Sequence, residues 1–256
     1  MYQEFSVIYE KKIKEDFDYQ AMAGFVRRAM KDHGVPRGHL LDMGCGTGNA
    51  GFELRKDFHE LVLCDPSEEM LVLARGKFTP PYLPRFILGK AEDFRMPERF
   101  DLILSILDVP NYLDPQGLQS YLENSWMNLK AGGLLIFDIS SPFKLMKMAE
   151  DRTYIYDEDD YFHVWENQLE GDRLRMEINL FVKSGEDGSA KEPLFRRITE
   201  RQSMQIITKE EIVQRVQPLG FTVAGVHDGY SQDPIKADSH RMVFVLKKEK
   251  KQQWID

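Results

Sequence analysis

Residues 40 to 49 read LLDMGCGTGN, an apolar run that ends in an acid and is followed by glycine at alternate positions, Gly44, Gly46 and Gly48. Glycine loses more conformational freedom on folding than any other residue, so three in this spacing mean that something needs the backbone bare. The apolar run has the character of a buried strand, and Asn49 to Asp57 after it has that of a helix. A glycine turn between a first strand and a first helix lets a ligand come close to the main chain, beside the free N–H groups of the helix start. A tight turn that needs small residues for packing alone would be served by one glycine.

The segments around this turn alternate in kind. HLLDM, ELVLC, RFIL, FDLILS and LLIF read as short buried strands, with helical stretches at Asn49 to Asp57, Ser67 to Gly76 and Pro115 to Lys130. The last helix opens with Asp114 and Pro115, a cap and first-turn pair, and stops at Gly132-Gly133. An earlier amphipathic helix spans Phe17 to His33, with Met22, Phe25, Val26 and Met30 on one stripe and Gly34 as its stop. This rhythm predicts a parallel sheet with helices on both faces. It breaks after Pro142. From 153 to 206 the pattern has period two, as in Leu174, Met176, Ile178, Leu180 and Val182, with turns at EGD (170 to 172) and SGEDGS (184 to 189). That predicts an inserted three-strand antiparallel meander. Thr208 and Glu211 form a capping box for one more helix, and FTVAGV and MVFVL close the chain as a strand hairpin.

Dinucleotide-binding enzymes space their glycines so that the third lies five residues after the first. Here it lies four after (44 to 48), and Asp42 stands two residues before the first glycine. This pattern resembles motif I of the class I S-adenosylmethionine-dependent methyltransferases. Asp65, at the end of LVLCD, would by itself be read as a cap for the helix in PSEEMLVLAR; joined to the glycine turn, it reads as an acceptor for both ribose hydroxyls of an adenosyl group. GKAEDF after the third strand, FDLILSILDVPNYL and LKAGGLLIFD resemble further motifs of the same family, over about residues 1 to 140. SSPFK, YDEDD and VWEN, leading into the insertion, are similar to the small bacterial YqeM-like group, and amino-sugar N-methyltransferases carry a comparable inserted meander.

The resemblance implies an α/β, Rossmann-like fold with a seven-stranded mostly parallel sheet in the order 3-2-1-4-5-7-6, strand 7 antiparallel. It implies a methyltransferase domain made of residues 1-150 and 207-256, with residues 151-206 as an antiparallel β lid over the acceptor pocket. The cofactor it implies is S-adenosylmethionine, leaving as S-adenosylhomocysteine. Contacts to it would come from Tyr9, Asp42, Gly44, Cys45, Gly46, Gly48, Asn49, Asp65, Pro66, Met70, Ala91, Glu92 and Ser105. Asp42 would receive the cofactor's amino group, directly or through water, and Tyr9 would cover the methionine end, or, nearly as good a reading, pack the first helix. One residue departs from the pattern: Lys90 stands where many relatives have an acid for the adenine amino group, so either Glu92 or Asp93 accepts there instead or the contact is absent.

Transfer of a methyl from a positively charged sulfur is an in-line displacement that asks mainly for alignment, so the lack of a triad or metal cluster does not argue against catalysis. The acceptor belongs above the carboxyl ends of the strands, near Asp108, Asn111 and Tyr112, although Asp108 and Asn111 are equally good turn formers ahead of Pro110 and Asp114. Tyr161, His163, Trp165 and Asn167 share one strand face with pocket-like character; the plainer reading, favoured slightly, anchors the lid through Tyr161 and Trp165. Arg173, Arg175, Arg196, Arg197 and Arg201 could hold an anion, but Glu166, Glu177 and Glu200 are available as cross-strand partners, which is the favoured reading. His163 alone is placed near chemistry, and no metal site is expected.

A net charge of −8 argues against nucleic acid as partner, although a local patch would override the average. Two cysteines, both in core segments, and the lack of a signal-like or membrane-length apolar run lead to the expectation of a cytoplasmic protein, monomer or homodimer. The leading expectation is a methyltransferase acting on a small-molecule acceptor. The alternatives are a catalytically silent cofactor-binding scaffold or sensor, and an RNA methyltransferase; glycine spacing disfavours a nicotinamide oxidoreductase.

Overall fold

The computed structural model describes residues 2–158, 161–184 and 194–249. Two helices come first, α1 (Tyr2–Asp16) and α2 (Tyr19–His33). The sequence reading finds α2 but leaves α1 unassigned, because Lys11, Lys12, Lys14 and Glu15 break up any apolar stripe there. In α2, the Asp18 carboxylate caps the N–H groups of Gln20 and Ala21, and Gly34 closes the helix in a left-handed conformation. The chain then runs through β1 (His39–Met43), α3 (Asn49–Leu54), β2 (Glu60–Asp65), α4 (Glu68–Arg75) and β3 (Arg85–Leu88). After β4 (Phe100–Ser105) come α5 (Val109–Tyr112), α6 (Pro115–Asn128) and β5 (Leu129–Ser140). Then α7 (Pro142–Asp151) leads to β6 (Thr153–Asp157), β7 (Tyr161–Glu170), β8 (Arg173–Ser184) and β9 (Leu194–Gln205). Finally α8 (Lys209–Val216), β10 (Phe221–Asp228) and β11 (Arg241–Lys248) return to the first sheet. The Thr208 hydroxyl accepts the N–H of Glu211 at 3.1 Å, as the capping box requires.

The main sheet has the order β3-β2-β1-β4-β5-β11-β10. Every neighbour pair is parallel except those made by β11, which runs against both β5 and β10. Counted within this sheet alone, the order is 3-2-1-4-5-7-6. Adjacent strand residues split between two cores: Leu40, Leu63, Leu102 and Ile136 face α2, α3 and α4, while Leu41, Val62, Ile103 and Phe137 face α6 and α8. Both faces are therefore covered, which is why the strands read as continuous apolar runs. The order reverses between β1 and β4, and an open α/β sheet leaves its crevice at such a point, beyond the carboxyl ends of the strands.

A second, antiparallel sheet has the order β6-β7-β8-β9. It has four strands where the sequence predicts three, because Thr153–Asp157 forms an edge strand of its own against β7. Gly171, with φ 61°, makes the turn from β7 to β8; the turn expected at 184–189 lies, beyond Ser184, outside the described residues. One face of this sheet packs on the body: Leu174, Met176 and Met204 meet Leu145 of α7, and Tyr161, Leu180 and Ile198 meet Ile8 of α1. Among the described residues, no helix is long and apolar enough to cross a membrane.

Candidate active site

The three glycines lie at the carboxyl end of β1, and all take φ values that side-chain-bearing residues avoid: 72° at Gly44, 53° at Gly46 and 77° at Gly48. A methyl on Gly44 would stand 2.5 Å from a methyl of Val109, and Gly48 caps α3. At Gly46 a methyl would meet nothing within 4 Å, so the bare backbone there faces open space. The N–H groups of Gly44 and Cys45 donate to the Cys64 carbonyl at 2.8 and 3.0 Å, folding the turn over the end of β2. Beside it stands Asp65, whose Oδ2 accepts the Gly46 N–H at 2.7 Å and whose Oδ1 accepts the Ser67 N–H at 2.9 Å. Burial raises the Asp65 carboxyl above its usual range, and those two N–H groups work against the rise. Each oxygen keeps a lone pair for a ligand hydroxyl.

A cavity of about 460 Å³ opens over this turn. Of the residues read from the sequence, Tyr9, Gly44, Cys45, Gly46, Asp65, Pro66, Met70, Ala91, Glu92 and Tyr112 line it. Lys90 lines it too; between the two acids considered for the adenine end, Glu92 reaches the cavity and Asp93 does not. Sequence reasoning missed Tyr19 and Gln202, which also line it. Tyr19 comes from the start of α2, with burial pushing its phenol up to about 12. Gln202 comes from β9 and accepts the Tyr112 hydroxyl at 3.3 Å, so the second sheet reaches the cavity through its last strand. Tyr9 closes the cavity from α1, and burial holds its hydroxyl protonated.

The remaining expected residues stand behind the cavity rather than in its wall. Asp42 is fully buried under the turn, with Oδ2 accepting the Gly51 N–H at 3.0 Å. Asn49 belongs to a polar knot: its amide donates to Glu10 at 3.0 Å and to Thr47 at 3.2 Å, and its carbonyl accepts from Lys77 at 2.6 Å. Glu10 also pairs with Lys77 at 2.7 Å, so this knot pins α1 above α3. Ser105 is buried at the end of β4. Asp108 is tied to Arg241 at 2.9 Å and to the Ser140 hydroxyl at 3.0 Å, within a cluster that includes Asp138 and Tyr230. Asn111, fully buried, accepts the Ser140 N–H at 2.9 Å and donates to the Gln205 carbonyl at 2.8 Å, joining the two sheets. Both residues that the sequence leaves open between acceptor contact and turn former thus serve as structural ties. His163 stacks on Tyr161, with ring centroids 6.0 Å apart, on the face packed against α1 and α7, because that face of β7 meets the body and not the cavity. Of the arginines, Arg201 and Arg197 bind Glu177 at 2.8 and 3.8 Å and Arg175 pairs with Glu170, while Arg173 donates instead to the Ser203 hydroxyl at 2.9 Å and the Gln205 side-chain oxygen at 3.0 Å.

Residues 40–133 match a family model described as a methyltransferase domain. The chain is 25% identical to the YqeM protein of Bacillus subtilis (strain 168), over 98% of each chain. It is 31% identical to a crystal structure of an S-adenosylmethionine-dependent methyltransferase from Clostridium acetobutylicum ATCC 824, with a TM-score of 0.87 and coverage of 97% of this chain and 99% of that one. This chain belongs to the S-adenosylmethionine-dependent methyltransferases. Its cofactor is S-adenosylmethionine, and the site fits one: bare backbone at Gly46 gives room for close approach, and Asp65 presents a buried carboxylate beside it. The methyltransferase fold is shared with CalS10, an amino pentose methyltransferase from Micromonospora echinaspora solved with S-adenosylmethionine bound, at 19% identity, a TM-score of 0.71 and coverage of 94% and 96%.

Proposed function

We propose that this methyltransferase transfers a methyl group by in-line displacement to a small-molecule acceptor, bound where the cofactor cavity meets the second sheet. The observation that carries this reading is the joint one at the turn: Asp65 held by the N–H of Gly46, both lining a cavity of about 460 Å³. That size falls within the roughly 300–1,000 Å³ of small-ligand sites. When bound, the cofactor supplies a methyl already activated on a positively charged sulfur. The chain's own residues hold and align. Asp65 takes the ribose hydroxyls, Gly44, Cys45 and Gly46 offer main chain, and Pro66, Met70, Ala91 and Glu92 flank the adenine. Tyr9 shuts out water from the α1 side, and Tyr112 with Gln202 forms the wall toward the acceptor.

In this reading residues 1-150 and 207-256 make the cofactor domain and 151-206 the lid. An acceptor of small size is supported by the walls themselves, since α1 and β9 both narrow the opening, and by the amino pentose on which CalS10 acts. Alignment is worth several kcal/mol of barrier without any acid or base, so a wall that positions is enough. The test is methyl transfer from radiolabelled S-adenosylmethionine to size-fractionated small molecules of a cell extract. Label entering a fraction of low mass supports the proposal. Label entering RNA, or tight cofactor binding with no transfer to any fraction, overturns it.

A further inference from the structure

Two residues in succession, Leu107 and Asp108, take left-handed backbone angles just past the end of β4, with φ 61° and 70°. Such backbone brings a Cβ against the following carbonyl oxygen, so glycine, asparagine and aspartate visit it and leucine rarely does. It persists only where the surroundings hold it, and residues held this way gather at ligand sites. Here the bend sits in the wall of the cofactor cavity, which Ile106, Leu107, Val109, Tyr112 and Leu113 all line. Val109 also stands against Gly44, leaving no room there for a methyl. The path of the chain at 107–109 therefore sets how close this wall comes to the glycine turn.

The bend is held by a carboxylate that stands outside the cavity. Asp138, near the end of β5, is fully buried and is not among the residues that line it. Its Oδ2 accepts the Leu107 N–H at 3.1 Å, and its Oδ1 accepts the Asp108 N–H at 2.9 Å. Oδ2 also accepts the Tyr230 hydroxyl and Oδ1 also accepts Arg241 Nη1, so each oxygen receives two donors. Arg241 reaches on to Asp108 at 2.9 Å, setting its charge between the two carboxylates. Tyr230 is fixed in turn by edge-to-face contacts with Phe17 and Phe25, at centroid distances of 5.5 and 5.7 Å. An ionised carboxylate only accepts, which suits two successive N–H groups; an amide in its place would set a donor against one of these partners.

Resting on the cofactor placement proposed above, we infer that Asp138 is a positioning residue for the cofactor: it clamps Leu107 and Asp108 in left-handed backbone and so fixes the wall from Ile106 to Tyr112 against the glycine turn. Arg241 and Tyr230 hold the clamp in place. Leu107 needs it most, because an aspartate tolerates this backbone far better than a leucine. A glycine at 107 would adopt the bend unaided.

The test is calorimetric titration of S-adenosylhomocysteine into the full chain, as a double-mutant cycle of Asp138→Asn and Leu107→Gly, at a temperature where melting curves show each protein folded. D138N is expected to weaken binding at least about fivefold, the scale of one lost buried hydrogen bond. L107G gives up an apolar contact in the wall and should weaken binding in wild type, yet strengthen it at least about threefold in D138N. A carboxylate that served stability alone would not produce that change of sign. Where D138N does not fold, Tyr230→Phe takes its place in the cycle. It keeps the ring on Phe17 and Phe25, removes one bond to Asp138, and should weaken binding at least about threefold, with L107G restoring it. Weakening short of these factors, or L107G failing to strengthen binding in the variant, overturns the inference and leaves the cofactor site standing. Failure of wild type to bind S-adenosylhomocysteine overturns both.

Discussion

Asp42 is a residue whose chemistry changes between strand pattern and folded chain. It lies under the glycine turn with no exposure, one oxygen on the Gly51 N–H and the other, Oδ1, without a partner among the described residues. Burial lifts its carboxyl to about 7; the Gly51 N–H opposes the rise and the charge of Asp65 adds to it. In the unfolded chain the same group titrates near ~4. Between these values the folded chain binds the extra proton, so the stability Asp42 contributes is full below about pH 4 and is lost as pH rises through about 7. Urea unfolding at about pH 5 and about pH 7.5 should therefore show a fall in stability, and Asp42→Asn, which keeps an acceptor for Gly51, should flatten it. Equal falls in the two proteins would contradict this account. The identity of an acid at 42 is plain in the sequence; its place behind the cavity wall is not, because strand pleat alone does not say how far a turn folds over the strand end.

Among the elements, α1 and β9 both reach the cavity, through Tyr9 and Gln202, and both were hard to read. α1 has too many lysines to show an apolar stripe, and it is fixed instead by the Glu10–Lys77 pair, by Ile8 against Ile198, and by Lys12 reaching Glu158 at 3.0 Å. The insertion announces itself by period-two alternation, and its aromatic strand draws the eye to β7. Yet β7 turns those residues toward α1 and α7, and Gln202 of β9 meets the cavity. Alternation gives the faces of a strand but not which face a neighbouring helix will cover. Asn111 of α5 holds β9 in place. Asn111→Ala leaves the Ser140 N–H and the Gln205 carbonyl buried without their partner, which should lower stability by about 2 kcal/mol in urea unfolding. S-adenosylhomocysteine affinity should change little, since Asn111 does not line the cavity; a stability loss below ~0.5 kcal/mol would show that the two sheets are joined by other means.

For the molecule as a whole, the parallel sheet, its helices and the cofactor turn were legible because each rests on local signals: apolar runs covered on both faces, Asp114 capping α6, and glycines at positive φ. Strand order, too, follows from the family pattern and holds in the folded chain. What was not legible depends on distant pairs. Arg241 binds Asp108 across 133 residues, and Gln202 meets Tyr112 across 90. The central claim is that bare main chain at Gly46 and the carboxylate of Asp65 together hold the adenosyl cofactor. Calorimetric titration of S-adenosylhomocysteine into wild type and into Asp65→Ala tests it most directly. The account predicts saturable one-to-one binding in wild type and a loss of roughly 1–3 kcal/mol in the variant, as two hydroxyl donors lose a charged acceptor. No heat and no saturation with wild type, or the same dissociation constant for both proteins, would contradict it.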